Sequence, residues 1–158
     1  MKPAGLITLI VSALLLSACA QEPADNEAVS DTEAAPAEPA APEYDLDALI
    51  AAADPDRGRR LFLQCRACHS VEEGGEHKIG PNLWDMFGNP AAEKPGFAYS
   101  DALANAGIVW SAEDIDQWMA RPSQFVPNNQ MVFVGIRQPA DRAALIAYLK
   151  SVTTPATP

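Results

Sequence analysis

Several residue types are scarce in this sequence, and each shortage excludes a class of protein. Aromatic residues make up 7% of the 158 residues, so a core built from side chains alone is modest. The 11 basic residues are outnumbered by 21 acidic ones and form no patch, which argues against a nucleic-acid-binding protein. No segment alternates apolar and polar residues as a strand does, and no internal repeat is present. The sequence therefore predicts one all-α domain with appendages.

Cysteine and histidine are also scarce, since the chain holds only Cys19, Cys65, Cys68, His69 and His77. A zinc site at the paired cysteines would lack further ligands. A thioredoxin-like redox pair needs a preceding strand in an α/β setting, which this sequence does not provide. A structural disulfide between the paired cysteines suits an oxidising compartment, but it leaves the adjacent histidine unexplained.

The N-terminus has the parts of an export signal. Lys2 gives a positive start, and an apolar stretch runs from Gly5 to Leu16 before a group of small residues. This stretch is too short for a comfortable membrane span, and no second apolar run of spanning length follows it. We therefore expect no transmembrane helix in the mature protein.

The cleavage site can be interpreted in two ways. Residues Leu16 to Cys19 resemble a bacterial lipoprotein box, in which Cys19 becomes the lipid-modified first residue. The triplet Ala18-Cys19-Ala20 also suits an ordinary signal peptidase, which would release a soluble periplasmic protein starting at Gln21. We favour a lipoprotein-type signal over residues 1–19, because a lone cysteine there has few other uses. This assignment anchors the protein through Cys19 on the periplasmic side of a bacterial membrane.

The acidity of the chain is concentrated in the segment after the signal. Nine acidic residues and no basic one lie between Ala20 and Ile50. The part of the chain after Ile50 has 12 acidic and ten basic residues. The segment 20–45 consists mainly of Ala, Pro, Glu and Asp, which bury too little to offset the entropy of ordering. We therefore predict a disordered tether over 20–45 and a folded domain over 46–158.

Helix signals are spaced through that domain. Leu46, Leu49 and Ile50 indicate a short turn, and loop residues rich in Gly, Pro and Asn fill 70–98 apart from one turn around 83–87. A helix from Ser111 should end near Arg121, because Pro122 follows. The other predicted helix starts are Asp54-Pro55, Ser100 and Pro139. These signals predict about four to five helices joined by long loops.

One motif carries specific chemistry: Cys65-Arg66-Ala67-Cys68-His69. This spacing places two thiols where they add to both vinyl groups of one haem, and it places the following histidine beneath the iron as an axial ligand. Covalent attachment of such a haem occurs outside the cytoplasm, which agrees with the export signal. The motif therefore predicts one covalently bound haem c.

Met131 is the candidate for the second axial ligand. His77 lies only eight residues from His69, and we expect it to hydrogen-bond loop backbone instead. Met86 is too close to the attachment site, and Met119 lies in a helix beside a tryptophan, where core packing is the default. An iron ligated by His69 and Met131 has no open position, which favours electron transfer and predicts that the protein is not an enzyme.

The sequence resembles the class I c-type cytochromes, the family of mitochondrial cytochrome c and its soluble bacterial relatives. The resemblance runs from about Gly58 to Lys150 and rests on ordered blocks, namely the haem-attachment motif, 78–83, 95–100, 107–110, 131–133 and 145–149. It implies the cytochrome c fold, with the Pro81 carbonyl accepting from the His69 ring and with Tyr99 and Trp110 hydrogen-bonding a buried haem propionate. It also implies that Phe62 meets Tyr148 or Leu145 where the first and last helices cross.

The sequence departs from the family pattern at functional positions. Asn89 replaces a common arginine that helps to hold a propionate, Trp118 replaces a core tyrosine, and Gln130 replaces a lysine before the methionine. The lysine ring that serves docking in the family is reduced to a few cations: Arg66, Lys78, Arg121 and Arg137. Strong electrostatic steering is therefore not expected, and a tether would supply local concentration instead.

These observations predict a membrane-tethered, monomeric, single-haem electron carrier. It would act between a quinol–cytochrome c reductase and a terminal oxidase or photosynthetic reaction centre. The alternative is a cytochrome c subunit that feeds electrons to or from a periplasmic dehydrogenase or reductase.

Overall fold

A computed structural model describes residues 43–155 of the chain. The described part contains six helices: α1 Leu46–Ala51, α2 Pro55–Phe62, α3 Asp101–Ala104, α4 Ala112–Ala120, α5 Pro122–Phe125 and α6 Pro139–Thr153. Within these residues the only β-pairing is an isolated bridge between Pro90 and Val109. The all-α prediction is confirmed. Two short helices, α1 and α5, account for the larger helix count.

The helices begin where the polar signals placed them. The side chains of Asp54 and Ser100 accept hydrogen bonds from the first backbone N–H groups of α2 and α3. Ser111 and Asp114 form the predicted capping box of α4. Pro139 occupies the first position of α6, where its missing N–H costs nothing.

The chain bends sharply after α4. Arg121 has an extended backbone (φ −157°, ψ 80°), as expected for a residue before a proline. Pro122 then starts the short helix α5, which the sequence analysis did not predict. The extra turn directs the chain towards the segment that carries Met131.

Helices α2 and α6 cross closely and form the centre of the packing. A Cβ at Gly58 would lie 2.7 Å from Cβ of Tyr148 and would overlap the carbonyl oxygen of Ala144, so only glycine fits at the crossing. The rings of Phe62 and Tyr148 lie 5.5 Å apart, and Leu145 is fully buried. The contact between Phe62 and Tyr148 that the resemblance implies is therefore present where α2 and α6 cross.

An additional helix, α1, precedes this crossing and packs against α6. Asp45 caps it, and Leu46 is buried. Just before it, the Tyr44 hydroxyl donates to the Asp116 carboxylate and accepts from Arg142. Composition assigns Tyr44 and Asp45 to the tether, whereas the structure makes both part of the domain. Composition could not reveal this, because the partner of Tyr44, Asp116, lies 72 residues away.

Several predictions fall outside the described residues. They are the export signal, the lipid anchor at Cys19 and the tether up to residue 42. Among residues 43–155, no helix is both long and apolar enough to span a bilayer.

Candidate functional site

The helices and loops line a cavity of about 450 Å³ that is open to solvent on one side. Its lining includes Cys65, Cys68, His69 and Met131, four residues that are spread over more than 60 positions of the sequence. Buried apolar side chains from three helices complete the wall, among them Phe62, Trp118 and Leu145. The volume lies within the usual range of about 300 to 1,000 Å³ for ligand and cofactor sites.

The two cysteines sit on turns that continue α2. The N–H groups of Cys65 and Cys68 bond the carbonyls of Phe62 and Cys65 at 2.8 and 2.9 Å. Both thiols are free and line the cavity. Burial, followed by the neighbouring Cys68, raises the pKa of Cys65 to about 11, so this sulfur is a neutral thiol at pH 7.

The His69 ring is fixed from one side by the loop that follows it. Its Nδ1 lies 2.8 Å from the Pro81 carbonyl oxygen, the contact that the resemblance implies. Because a carbonyl only accepts, Nδ1 carries the proton and Nε2 keeps its lone pair. Burial lowers the pKa of His69, which favours the neutral imidazole that a metal requires.

Gly80 lets this loop approach the imidazole. A Cβ at Gly80 would lie 2.8 Å from each ring nitrogen of His69 and closer still to Cε1, which is impossible without movement. The loop is held further by buried Asn82, whose Nδ2 donates to Ser70 Oγ at 2.7 Å. The ring, the glycine and the carbonyl therefore form one packed unit.

Met131 lines the cavity on a loop that Asn129 organises. Oδ1 of Asn129 accepts from the Met131 N–H at 2.8 Å, and its Nδ2 donates to the carbonyls of Pro122 and Val126. These bonds tie the loop to α5. Met86 and Met119 also line the cavity and belong to the hydrophobic core, so the choice of Met131 as ligand stays a prediction.

Tyr99 and Trp110 both line the cavity, and each is held by aromatic packing. The Tyr99 ring lies 4.7 Å from that of Phe97, and the Trp110 ring lies 5.7 Å from that of Trp118. Trp118, which stands where the family usually has a core tyrosine, is buried and packs between Trp110 and Phe125. The propionate-binding roles of Tyr99 and Trp110 stay predictions.

His77 bonds loop backbone through both ring nitrogens. Nε2 lies 2.9 Å from the Pro95 carbonyl, and Nδ1 accepts from the Asn82 N–H at 3.0 Å. This confirms the expectation that His77 serves the loop.

Sequence reasoning missed three residues of the site: Gly80 as a spacer, Asn129 as a loop anchor and Lys94 as a lining cation. The loop block 78–83 contained a signal for Gly80, because a glycine before a proline permits close approach. Asn129 bonds residues two to seven positions away, so its role has a local signal in the Asn-rich loop, whereas Lys94 bonds Trp84, ten positions away, and has none.

The lining fits a covalently bound c-type haem. It offers two thiols suited to covalent attachment, a neutral imidazole and thioether sulfurs suited to ligating iron, and apolar walls suited to the porphyrin faces. Tyr99, Trp110 and Lys94 supply hydrogen-bond donors for carboxylates.

Comparisons with known proteins agree with this chemistry. A family model for cytochrome c matches residues 55–153. The chain is 43% identical over 103 residues to a cytochrome c of Chlamydomonas reinhardtii, covering 65% of this chain and 92% of that protein. It is 41% identical over 99 residues to a cytochrome c2 of Rhodomicrobium vannielii, covering 63% and 79%. It is also similar to a cytochrome c homolog of Rickettsia felis, with 34% identity over 135 residues, 85% of this chain and 73% of the relative.

Proposed function

The chain belongs to the cytochrome c family and carries one covalent c-type haem, and we propose that it is a membrane-tethered electron carrier on the periplasmic side of a bacterial membrane. The observation that carries the proposal is the cavity in which Cys65, Cys68, His69 and Met131 come together. When bound, the haem iron supplies a one-electron couple. The residues around it determine how that couple is held and which partner reaches it.

The chain's contribution begins with attachment and orientation. Cys65 and Cys68 provide the two sulfurs for covalent attachment, and the Pro81 carbonyl keeps the His69 ring in one tautomer and one plane. Met131 provides a soft, neutral donor, which stabilises the reduced state relative to a second imidazole. Held by both His69 and Met131, the iron would offer no position to a substrate and would supply single-electron transfer.

Partner contact is best placed at the exposed apolar residues beside the cavity. Ile79 and Val132 line the cavity and are 83% and 102% exposed, which is unusual for large apolar side chains. We propose that the monomer presents this patch to a quinol–cytochrome c reductase and then to a terminal oxidase or photosynthetic reaction centre.

Carbon monoxide binding tests the carrier function, because it requires an open position on ferrous iron. The reduced, purified holoprotein should fail to bind carbon monoxide rapidly at neutral pH. A Met131→Ala variant should bind it and lose the absorption band of the thioether–iron bond. Rapid binding by the unmodified protein would refute a simple carrier, and a variant with an unchanged band would refute Met131 as the ligand.

The lipid anchor at Cys19 is a separate part of the proposal. It is supported by the lipoprotein box and by the acidic segment that follows it. Mass spectrometry of the mature protein should find one haem-sized adduct and a diacylglyceryl group on Cys19, whereas a Cys19→Ser variant should lack the lipid and leave the membrane fraction. A mature chain starting at Gln21 would instead make the carrier soluble. Stable co-purification with a dehydrogenase or reductase would make it a subunit.

A further inference from the structure

Lys94 is the only lysine or arginine among the described residues that line the cavity. It is half-buried, in contrast to the exposed cations elsewhere on the domain, such as Lys78 and Lys150. The same wall also carries the carboxylates of Asp85 and Glu93. Without Lys94, the ionised side chains of the lining would all be acidic.

The structure fixes where Lys94 lies. Its Nζ donates to the carbonyl oxygen of Trp84, which brings the side chain back across the loop. Its backbone faces the Tyr99 hydroxyl, where it opposes part of the rise in the Tyr99 pKa that burial causes. Lys94 therefore meets the Tyr99 hydroxyl through its backbone, while its charged end returns along the loop to Trp84, and both residues line the cavity.

A c-type haem brings two carboxylates into this cavity. Burying a carboxylate is costly unless it is paired with a cation and hydrogen-bonded. Asn89, which stands where the family commonly has arginine, also lines the cavity but carries no charge. A single carbonyl acceptor uses one of the three Nζ protons of Lys94, which leaves two donors for a further oxygen.

We propose that Lys94 binds a haem propionate and supplies the counter-charge that Asn89 does not. Lys94 is then a positioning residue for the cofactor, acting beside Tyr99 on the same carboxylate. The inference rests on the presence of the haem and is independent of the tether and of the redox partners.

Nuclear magnetic resonance of the reduced, diamagnetic holoprotein tests the contact without any substitution. The ε-methylene protons of Lys94 should show nuclear Overhauser contacts to the methylene protons of one haem propionate. The same protons of Lys150, which lies over the Phe87 ring outside the cavity, should show none. Absence of a contact between Lys94 and either propionate would overturn the proposal.

Potentiometry of matched variants tests the charge. Lys94→Met removes a positive charge from the cavity that would hold the haem, so the oxidised form should gain stability and the midpoint potential should fall. At a fixed applied potential, the ratio of oxidised to reduced protein should rise about fivefold. Lys94→Arg keeps the positive charge, so its ratio should lie within about twofold of that of the unmodified protein. Lys150→Met should also change the ratio by less than about twofold.

The outcomes separate this inference from the carrier proposal. If Lys94→Met and Lys150→Met shift the ratio equally, Lys94 holds no propionate, although the protein can still be a carrier. If the unmodified protein binds carbon monoxide rapidly, the carrier proposal fails while the Lys94 contact can stand. Equal haem content and equal helical circular dichroism in all variants establish that the shift is electrostatic.

Discussion

At Gly80 the backbone passes so close to the His69 ring that no side chain fits between them. The close approach lets the loop bring the Pro81 carbonyl to the imidazole, so the proposed iron ligand depends on a residue without a side chain. The ligand itself was predictable from the spacing of the haem-attachment motif, whereas the packing around it was not.

A Gly80→Ala substitution should therefore damage the site directly. The new methyl group would overlap Cε1 of His69, so the ring or the loop must move, at a cost of about 1–3 kcal/mol. We expect a lower free energy of unfolding and a disturbed haem absorption spectrum, measured by denaturant titration and visible spectroscopy of the holoprotein.

Gly74→Ala is the matched control for this substitution. Gly74 has a positive φ of 66°, but no atom lies within 4 Å of the position that a Cβ would take, so alanine there adds backbone strain of about 1–2 kcal/mol and no overlap. It should lower stability while leaving the haem spectrum unchanged. An unchanged spectrum in Gly80→Ala as well would contradict the proposed contact with the imidazole.

The site residues differ in how far the sequence could predict them. The haem-attachment motif places Cys65, Cys68 and His69 within five positions, so the local spacing alone predicts their joint role. Met131 was chosen by elimination among three methionines, and Lys94 gave no signal, because its role depends on a loop that folds back onto the cavity wall.

Among the helices, α1 is the one that lies wholly before the region matched by the family model. Tyr44, which lies two residues before α1, bonds through its hydroxyl to both members of a buried ion pair between α4 and α6, in which Nε of Arg142 lies 2.8 Å from Oδ1 of Asp116. Arg142 also donates to the carbonyls of Ile136 and Arg137 at 2.9 Å. The cluster thus connects α1 to the segment that follows Met131.

A Tyr44→Phe substitution measures the strength of this connection. It removes hydrogen bonds to two charged groups, and we expect the free energy of unfolding at pH 7 to fall by about 1.5 kcal/mol. Tyr148→Phe is the control, because the Tyr148 hydroxyl makes no hydrogen bond within residues 43–155 while its ring packs on Phe62. Equal stability losses in both variants would argue against the cluster.

The effect of Tyr44 should also depend on pH. Burial, reinforced by the hydrogen bond to Asp116, raises the pKa of Tyr44 above its usual value of about 10. A raised pKa means that the stabilisation is complete below pH 10 and is lost as the pH rises through the pKa of the folded state. Denaturant titrations should show a constant gap between the wild type and Tyr44→Phe up to about pH 9, and a narrowing gap above pH 10.

The helices follow the same division between local and distant causes. Helices α2, α4 and α6 begin at caps and prolines that the sequence displays, and their starts were predicted. Helix α1 has six residues and α5 has four, too short to form without tertiary packing. Their stability comes from α6 and α4, which a local pattern does not reveal.

At the scale of the whole molecule, the cavity dominates the energetics. Without haem, the apolar lining of this cavity of about 450 Å³ would lack its packing partner and face water, at a cost of up to about 10 kcal/mol, which is comparable to the entire stability of a typical domain. We therefore expect the chain to be largely unfolded without haem.

A Cys65→Ala/Cys68→Ala double variant tests this expectation, because it removes both attachment points. Its far-ultraviolet circular dichroism should show little helix at 25 °C, whereas the haem-bearing chain should be helical. A Lys150→Met chain carrying haem serves as a folded reference. A cooperative thermal transition in the haem-free double variant would contradict the prediction.

The charge distribution governs how the molecule meets its partners. From Ala51 onward the chain has 12 acidic and ten basic residues, and Lys78 is occupied by the carbonyls of Arg66 and His69. A nearly balanced domain generates little long-range steering, so electron transfer with a membrane redox complex should change by less than about twofold between low and physiological salt.

The apolar patch should matter more than salt. Val132→Asp places a charge beside the cavity and should slow electron transfer about tenfold, because an uncompensated carboxylate would be desolvated on docking. Val109→Asp introduces the same charge at a residue that is 53% exposed and does not line the cavity. Equal rates for the two variants would place the docking surface elsewhere.

Because folding depends on filling the haem cavity, the cell can distinguish haem-bearing chains from haem-free ones. We expect a chain without its cofactor to be largely unfolded and therefore open to proteases, so that degradation removes it. The chains that persist should then all carry haem. Haem-free chains should not accumulate and should not compete with the holoprotein for binding to its redox partners. The abundance of the protein should track the supply of haem rather than the rate of its own synthesis.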